Sequence, residues 1–157
     1  MSVFTGGWDR VLDFLRSIRT GAFMDAYEDD FQELAAEIQK KIRKHIQDQD
    51  LDWAQLAPRT QARKGHDMAY IETWEFMRKI EADVRRKGRF SVELTVMPAG
   101  KHDASGMSMQ KLARILEFGW EKIPARPLWR PVMAEVRAMP EFKKLADFTS
   151  KIEWGFY

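Results

Sequence analysis

Between about residues 24 and 47, apolar side chains recur at Phe31, Leu34, Ala35, Ile38, Ile42 and Ile46, with charged or polar residues between them. Steps of three and four place these side chains along one side of a helix, so the segment is predicted to form a long amphipathic helix. Such a stripe cannot stay in water, and the rest of the chain must supply a layer to cover it. Asp25, Glu28, Asp29 and Asp30 crowd the early turns, and Lys40, Lys41, Arg43 and Lys44 the late ones. That polarity complements the helix dipole and reads as a solvated helix face, not as a binding surface.

The covering layer is predicted at residues 79–97. Ile80, Ala82 and Val84 alternate with Glu81, Asp83 and Arg85, and Phe90, Val92, Leu94 and Val96 alternate with Ser91, Glu93 and Thr95. The period of two marks two half-buried strands of a hairpin. A three-residue turn at Lys87, Gly88 and Arg89 sets Val84 against Val92, Ala82 against Leu94 and Ile80 against Val96. A two-residue turn would set apolar against polar along the ladder. The expected register carries one flaw, Asp83 opposite Glu93, which a bulge or a diagonal contact from Arg85 would relieve.

Shorter helices follow from the same rules. Val11, Leu12, Leu15 and Ile18 suggest one over residues 8–19, and Met109, Leu112, Ala113 and Leu116 suggest another that stops at Gly119 as a left-handed cap. Pro131 restricts the next helix to about residues 128–137, and Pro140 ends it or opens a further one through Phe142, Leu145 and Phe148. Residues 48–66 and 98–108 lack any period and read as loops. The fold class expected is α+β, with a small antiparallel sheet packed against the long helix and the helix at about 108–118. One domain spans 1–157, with 1–20 and 150–157 as extended or partner-docked ends.

Composition narrows the chemistry. Without cysteine there is no disulfide, thiolate nucleophile or cysteine zinc site. No signal peptide or membrane span is expected. Twenty-six basic residues against 24 acidic ones give a net charge of +2, which names no partner. His45, His66 and His102 stand apart without metal-ligand spacing and read as exposed, and no phosphate loop or nucleophile elbow is present. An enzyme is disfavoured, and no cofactor or metal is expected. Arg59, Arg63 and Lys64, and Arg85, Arg86, Lys87 and Arg89, form two basic patches suited to phosphates, although a basic hairpin tip more often keeps a sheet edge soluble.

Residues 112–136 read LARILEFGWEKIPARPLWRPVMAEV. Glu117, Phe118 and Gly119, then Pro124, Ala125, Arg126 and Pro127, then Arg130 and Pro131, resemble the signature of bacteriophage tail-completion and head-to-tail joining proteins, the neck proteins that include the lambda-type minor tail protein Z. Residues 53–65, WAQLAPRTQARKG, are similar to the loop after the first long helix in that family. The segment at Thr73, Trp74 and Phe76 to Ile80 departs from the family's run before the first strand. The resemblance implies a non-enzymatic virion subunit, assembled in the host cytoplasm into a homo-oligomeric ring of six copies. Its partners would be the tail tube or tail terminator and the head-side connector, with contact to DNA in the channel open and no membrane. In physical terms Gly119 turns the chain, the prolines stiffen it, and Arg126 and Arg130 can fork onto carboxylates or carbonyls, so intrachain scaffolding is the favoured role for the motif. Candidate interface residues are Trp53, Arg59, Arg63, Lys64, Arg85, Arg86, Lys87, Arg89, Trp154, Phe156 and Tyr157. A nucleic-acid-binding module and a phage-encoded enzyme remain as alternatives.

Overall fold

The computed structural model describes residues 22–71, 74–88, 91–146 and 151–153. Helix α1 runs over Ala22–Asp48, α2 over Pro58–Lys64 and α3 over Glu75–Arg78. Strands β1 (Ile80–Gly88) and β2 (Ser91–Pro98) follow, then helices α4 (Met109–Phe118), α5 (Trp129–Ala138) and α6 (Pro140–Ala146), and a short strand β3 (Lys151–Glu153). The architecture is α+β, with the hairpin packed against the long helix.

The stripe read from the sequence is the core. Phe31, Ile38, Ile42 and Ile46 are fully buried, and they pack with Ile80, Val92, Leu94 and Val96 from the hairpin. α4 lies against β2, while α5 and α6 close over α1. Polar groups on α1 fix this packing. Gln39 donates to the Ile80 carbonyl at 2.6 Å, Arg43 to the Met77 carbonyl at 3.3 Å, and the Tyr27 hydroxyl to the Leu145 carbonyl at 2.7 Å.

The hairpin register differs from the expected one by two residues. Val84 stands opposite Leu94, Ala82 opposite Val96 and Ile80 opposite Pro98. Gly88 pairs with Ser91, and a bulge between Arg86 and Gly88 takes up the odd residue, so apolar still faces apolar. The slip has an electrostatic reason: Arg85 opposes Glu93, and Lys87 reaches the same carboxylate at 2.9 Å, while Asp83 opposes Thr95. The hairpin is antiparallel as expected, and β3 adds a parallel strand beside β2, with Leu94 opposite Ile152.

Two further expectations need correction. The 48–66 segment is not all loop, because Pro58 sits in the first turn of α2 and Gly65, at φ 78° and ψ 7°, ends it. His45 is not exposed: it is buried, with Asp50 at 2.6 Å from Nδ1 and Glu135 at 2.8 Å from Nε2. His66 and His102 are half-buried. The helix expected at 8–19 and Phe148 lie outside the described residues.

Candidate functional site

The motif residues assemble into one clasp between α4 and α5. Glu117, in the last turn of α4, is buried at 1% exposure, and its carboxylate accepts the backbone N–H groups of Leu128 (2.6 Å), Trp129 (3.0 Å) and Arg130 (3.1 Å). The first N–H groups of any helix lack intrahelical partners, and Leu128 brings no side-chain cap of its own. Pro131 comes next and has no N–H to satisfy, and Val132 then donates to the Leu128 carbonyl at 3.2 Å. Glu117 and Pro131 together thus account for every donor at the start of α5. Arg130 completes the unit, with Nε on Glu117 Oε1 at 3.0 Å and Nη2 on the Glu117 carbonyl at 3.1 Å.

Gly119 makes the exit from α4. Its φ of 77° and ψ of 166° lie in a region open to glycine alone, not in the left-handed helical cap expected. A Cβ there would meet the Ile123 carbonyl oxygen at 2.9 Å and the Ala125 nitrogen at 3.0 Å. Trp120 and Ile123 then exchange backbone hydrogen bonds at 3.0 and 2.7 Å, and Arg126 N–H returns to the Leu116 carbonyl at 2.6 Å.

The second segment singled out by sequence, residues 53–65, is tied to this clasp. The Arg126 guanidinium forks onto the carbonyls of Ala54 (2.8 Å) and Gln55 (2.9 Å). Burial lowers its pKa from the ordinary arginine value, against the influence of Tyr70 and Asp67. Trp53 Nε1 donates to the Pro127 carbonyl at 2.6 Å, and Tyr70 to the Arg126 carbonyl at 2.6 Å. Trp53 and Phe76 each pack on the Tyr70 ring, at 4.9 and 5.0 Å. Intrachain scaffolding therefore describes what Glu117, Arg126 and Arg130 do.

The clasp also displays apolar surface. Phe118, Trp120 and Ile123 are 56%, 50% and 45% exposed. Arg130 lies over the Phe118 ring at 5.4 Å and Lys111 over the Trp120 ring at 5.6 Å. Grouped on one braced turn, these apolar side chains are open to contact with another surface. Trp120 and Ile123 were not among the residues the sequence put forward, because an isolated aromatic in a polar turn carries no periodic signal.

Of the expected interface residues, Trp53 and Lys64 are half-buried and engaged, Lys64 with the Ile71 carbonyl at 2.8 Å, and Arg59 and Arg63 are exposed. At the hairpin tip Arg85 pairs with Asp83, Arg86 with Asp25 (2.7 Å) and Glu28 (3.1 Å), and Lys87 with Glu93. The described tip cations are thus partnered by carboxylates. Arg89, Trp154, Phe156 and Tyr157 lie outside the described residues.

No protein family, curated protein or solved structure matches this chain. The resemblance to tail-completion proteins rests on the quoted residues.

Sequence reasoning also missed a cavity of about 370 Å³ beside the clasp, walled by α2, by Ala69, Tyr70, Glu75 and Phe76, by the loop before α4, and by α4 itself. Glu75, buried, and His102 and Ser105 line it. Ser105 Oγ lies 3.0 Å from His102 Nδ1, and His102 Nε2 lies 3.6 Å from Glu75 Oε2. Glu75 also accepts from Lys79 and from the Asp103 N–H at 2.9 Å. These contacts pin the loop before α4 to α3. Among the described residues no cluster of three or more potential ligands is placed to hold a metal, and no helix is long and apolar enough to cross a membrane.

Proposed function

We propose that this chain is a structural virion subunit of a tailed bacteriophage, closing the tail or joining it to the head by assembling into a homo-oligomeric ring. The observation that carries the reading is the clasp. The residues that resemble the neck-protein signature converge on one rigid turn, braced at Glu117, Gly119 and Arg126, which holds Phe118, Trp120 and Ile123 toward solvent. In a ring each copy presents one surface to a different surface on its neighbour, and a braced apolar patch supplies one such surface.

Sizing of the purified chain, alone and mixed with tail-tube or connector protein, tests the reading, followed by negative-stain imaging. Rings, or a defined complex with either partner, are expected. A chain that stays monomeric with both partners and is absent from purified virions would sink it.

One observation favours a second reading, a phage-encoded hydrolase: Ser105, His102 and Glu75 line one cavity, with Ser105 hydrogen-bonded to His102 and Glu75 3.6 Å from the other ring nitrogen. Against it, the Ser105 N–H donates to the same His102 Nδ1 at 3.3 Å, as in a local turn, and Glu75 is engaged by Lys79 and Asp103. Ester hydrolysis abolished by Ser105→Ala would establish it. A nucleic-acid module would show binding that weakens steeply with salt.

A further inference from the structure

The cavity beside the clasp has the build of a receptor. Leu56, Phe76, Leu112 and Leu116 form apolar wall, and Ile123 extends that wall to the mouth. Ile123 is paired across its tight turn with Trp120, and both are about half exposed, so the clasp sets two large apolar side chains at the cavity and next to it. A volume of about 370 Å³ lies in the range of cavities that engulf large side chains or small ligands.

Charge decides what kind of occupant fits. Arg63 and Lys122 stand on the lining, and Lys111 lies over Trp120 at the outer edge. The lining carboxylate, Glu75, is already held by Lys79 and the Asp103 N–H. An apolar opening with a cationic collar suits an aromatic segment next to an acid.

A segment of this kind, with three aromatics after an acid, follows the last described strand directly. Glu153 closes β3, and Trp154, Gly155, Phe156 and Tyr157 follow. β3 is the outer strand of the sheet on the side away from β1, so the root of this segment stands at a sheet edge. Four residues reach at most about 14 Å, which limits them to a surface close against that edge.

We propose that residues 154–157 of one copy enter the clasp-side cavity of the next, with Glu153 at its cationic collar. The inference rests on the ring-assembly reading and names its lateral contact. Tail and cavity are different patches, so the contact is heterologous; it repeats from copy to copy and closes when the rotation allows.

The test uses two variants of the full chain, one ending after Glu153 and one in which Thr60→Trp fills the cavity from α2, each checked for native circular dichroism. Wild type should assemble, and each variant alone should remain monomeric. Mixing them should give a one-to-one dimer and nothing larger, because one has only a cavity and the other only a tail. A labelled peptide of residues 151–157 should bind the truncated chain, and Lys122→Glu should weaken that binding severalfold, less so at high salt. Truncated chain that assembles like wild type overturns the inference and leaves ring assembly standing. A folded pair of variants that gives no mixed dimer also overturns it, as does a tail that occupies the cavity of its own chain. If wild type forms no ring, the ring reading fails, and the peptide alone decides: binding blocked by Thr60→Trp upholds the contact, and no binding ends it.

Discussion

Glu117 and Arg130 meet twice across the turn that separates them, once through side-chain atoms at 3.0 Å and once through the Glu117 carbonyl at 3.1 Å. The two partners are unequal, since the Glu117 side chain is 1% exposed and that of Arg130 is 62% exposed. Glu117→Ala removes the acceptor of three backbone N–H groups and is expected to cost several kcal/mol, at about 1–3 kcal/mol for each buried donor left without a partner. Arg130→Ala leaves those hydrogen bonds in place but takes the counter-charge from a buried carboxylate, and should cost less, about 1.5–3 kcal/mol. Urea unfolding midpoints of the two variants check the ordering, and equal losses would refute the capping role.

Gly119 and Gly65 both have positive φ, but only Gly119 is hemmed in. A Cβ added at Gly65 would meet nothing within 4 Å, and its ψ is one that other residues adopt, so Gly65→Ala should cost about 1 kcal/mol. Gly119→Ala combines a glycine-only conformation with contacts of 2.9 and 3.0 Å to backbone atoms. It should cost about 1–3 kcal/mol from conformation alone, with the steric clash added. Thermal unfolding of the two variants side by side tests the difference.

The hairpin register can be read by cross-linking, and the absence of native cysteine makes the experiment clean. Asp83→Cys with Thr95→Cys places the new thiols directly opposite each other and should form a disulfide. Asp83→Cys with Glu93→Cys, directly opposite in the register read from sequence, is a diagonal pair in the structure and should oxidise poorly. The reverse result would restore the expected register.

That register shows where the sequence stops being legible. Alternation in Ile80, Ala82, Val84, Val92, Leu94 and Val96 tells which side of each strand is apolar, and the structure agrees on the parity. It carries no information on a bulge at Lys87, the residue whose ammonium reaches Glu93. The α1 stripe was readable because a helix period needs no partner to be recognised. Glu117 was visible only as a motif position, since its burial and its three N–H donors exist only once α5 folds back on α4. The cavity was invisible for the same reason, its walls coming from segments as far apart as Leu56 and Ile123.

Acid should loosen the seam between α1 and α5. A hydrogen bond from His45 holds the Asp50 carboxyl below its usual range. For Glu135, burial pushes the pKa up, but hydrogen bonds from Lys41 and His45 outweigh it and leave the carboxyl below its usual value. Groups with a depressed folded pKa stabilise fully above the unfolded carboxylate range, about pH 4, and lose that contribution as pH falls through the folded values. Glu135→Gln should therefore lower stability at neutral pH and flatten its decline below about pH 4. A variant whose acid profile parallels wild type would show that Glu135 contributes nothing to it.

At the other end of the pH scale, Tyr70 should mark the integrity of the clasp. Burial, aided by the nearby Glu117 charge and opposed by Arg126, pushes its phenol well above the ordinary tyrosine value. An acid raised in the folded state keeps its proton when the unfolded chain would already have released it, so its contribution is complete below about pH 10 and is lost as pH rises through the folded value. Phenolate absorbance during alkaline titration in a Tyr27→Phe background, which removes the other buried phenol of the described residues, should show one tyrosine ionising only together with the loss of far-ultraviolet circular dichroism. In Tyr70→Phe that late step should vanish, and the lost hydrogen bond to the Arg126 carbonyl should cost about 1 kcal/mol. A late step that persists in this variant would assign it to another tyrosine and remove the support it gives to a closed, dry junction between the two segments.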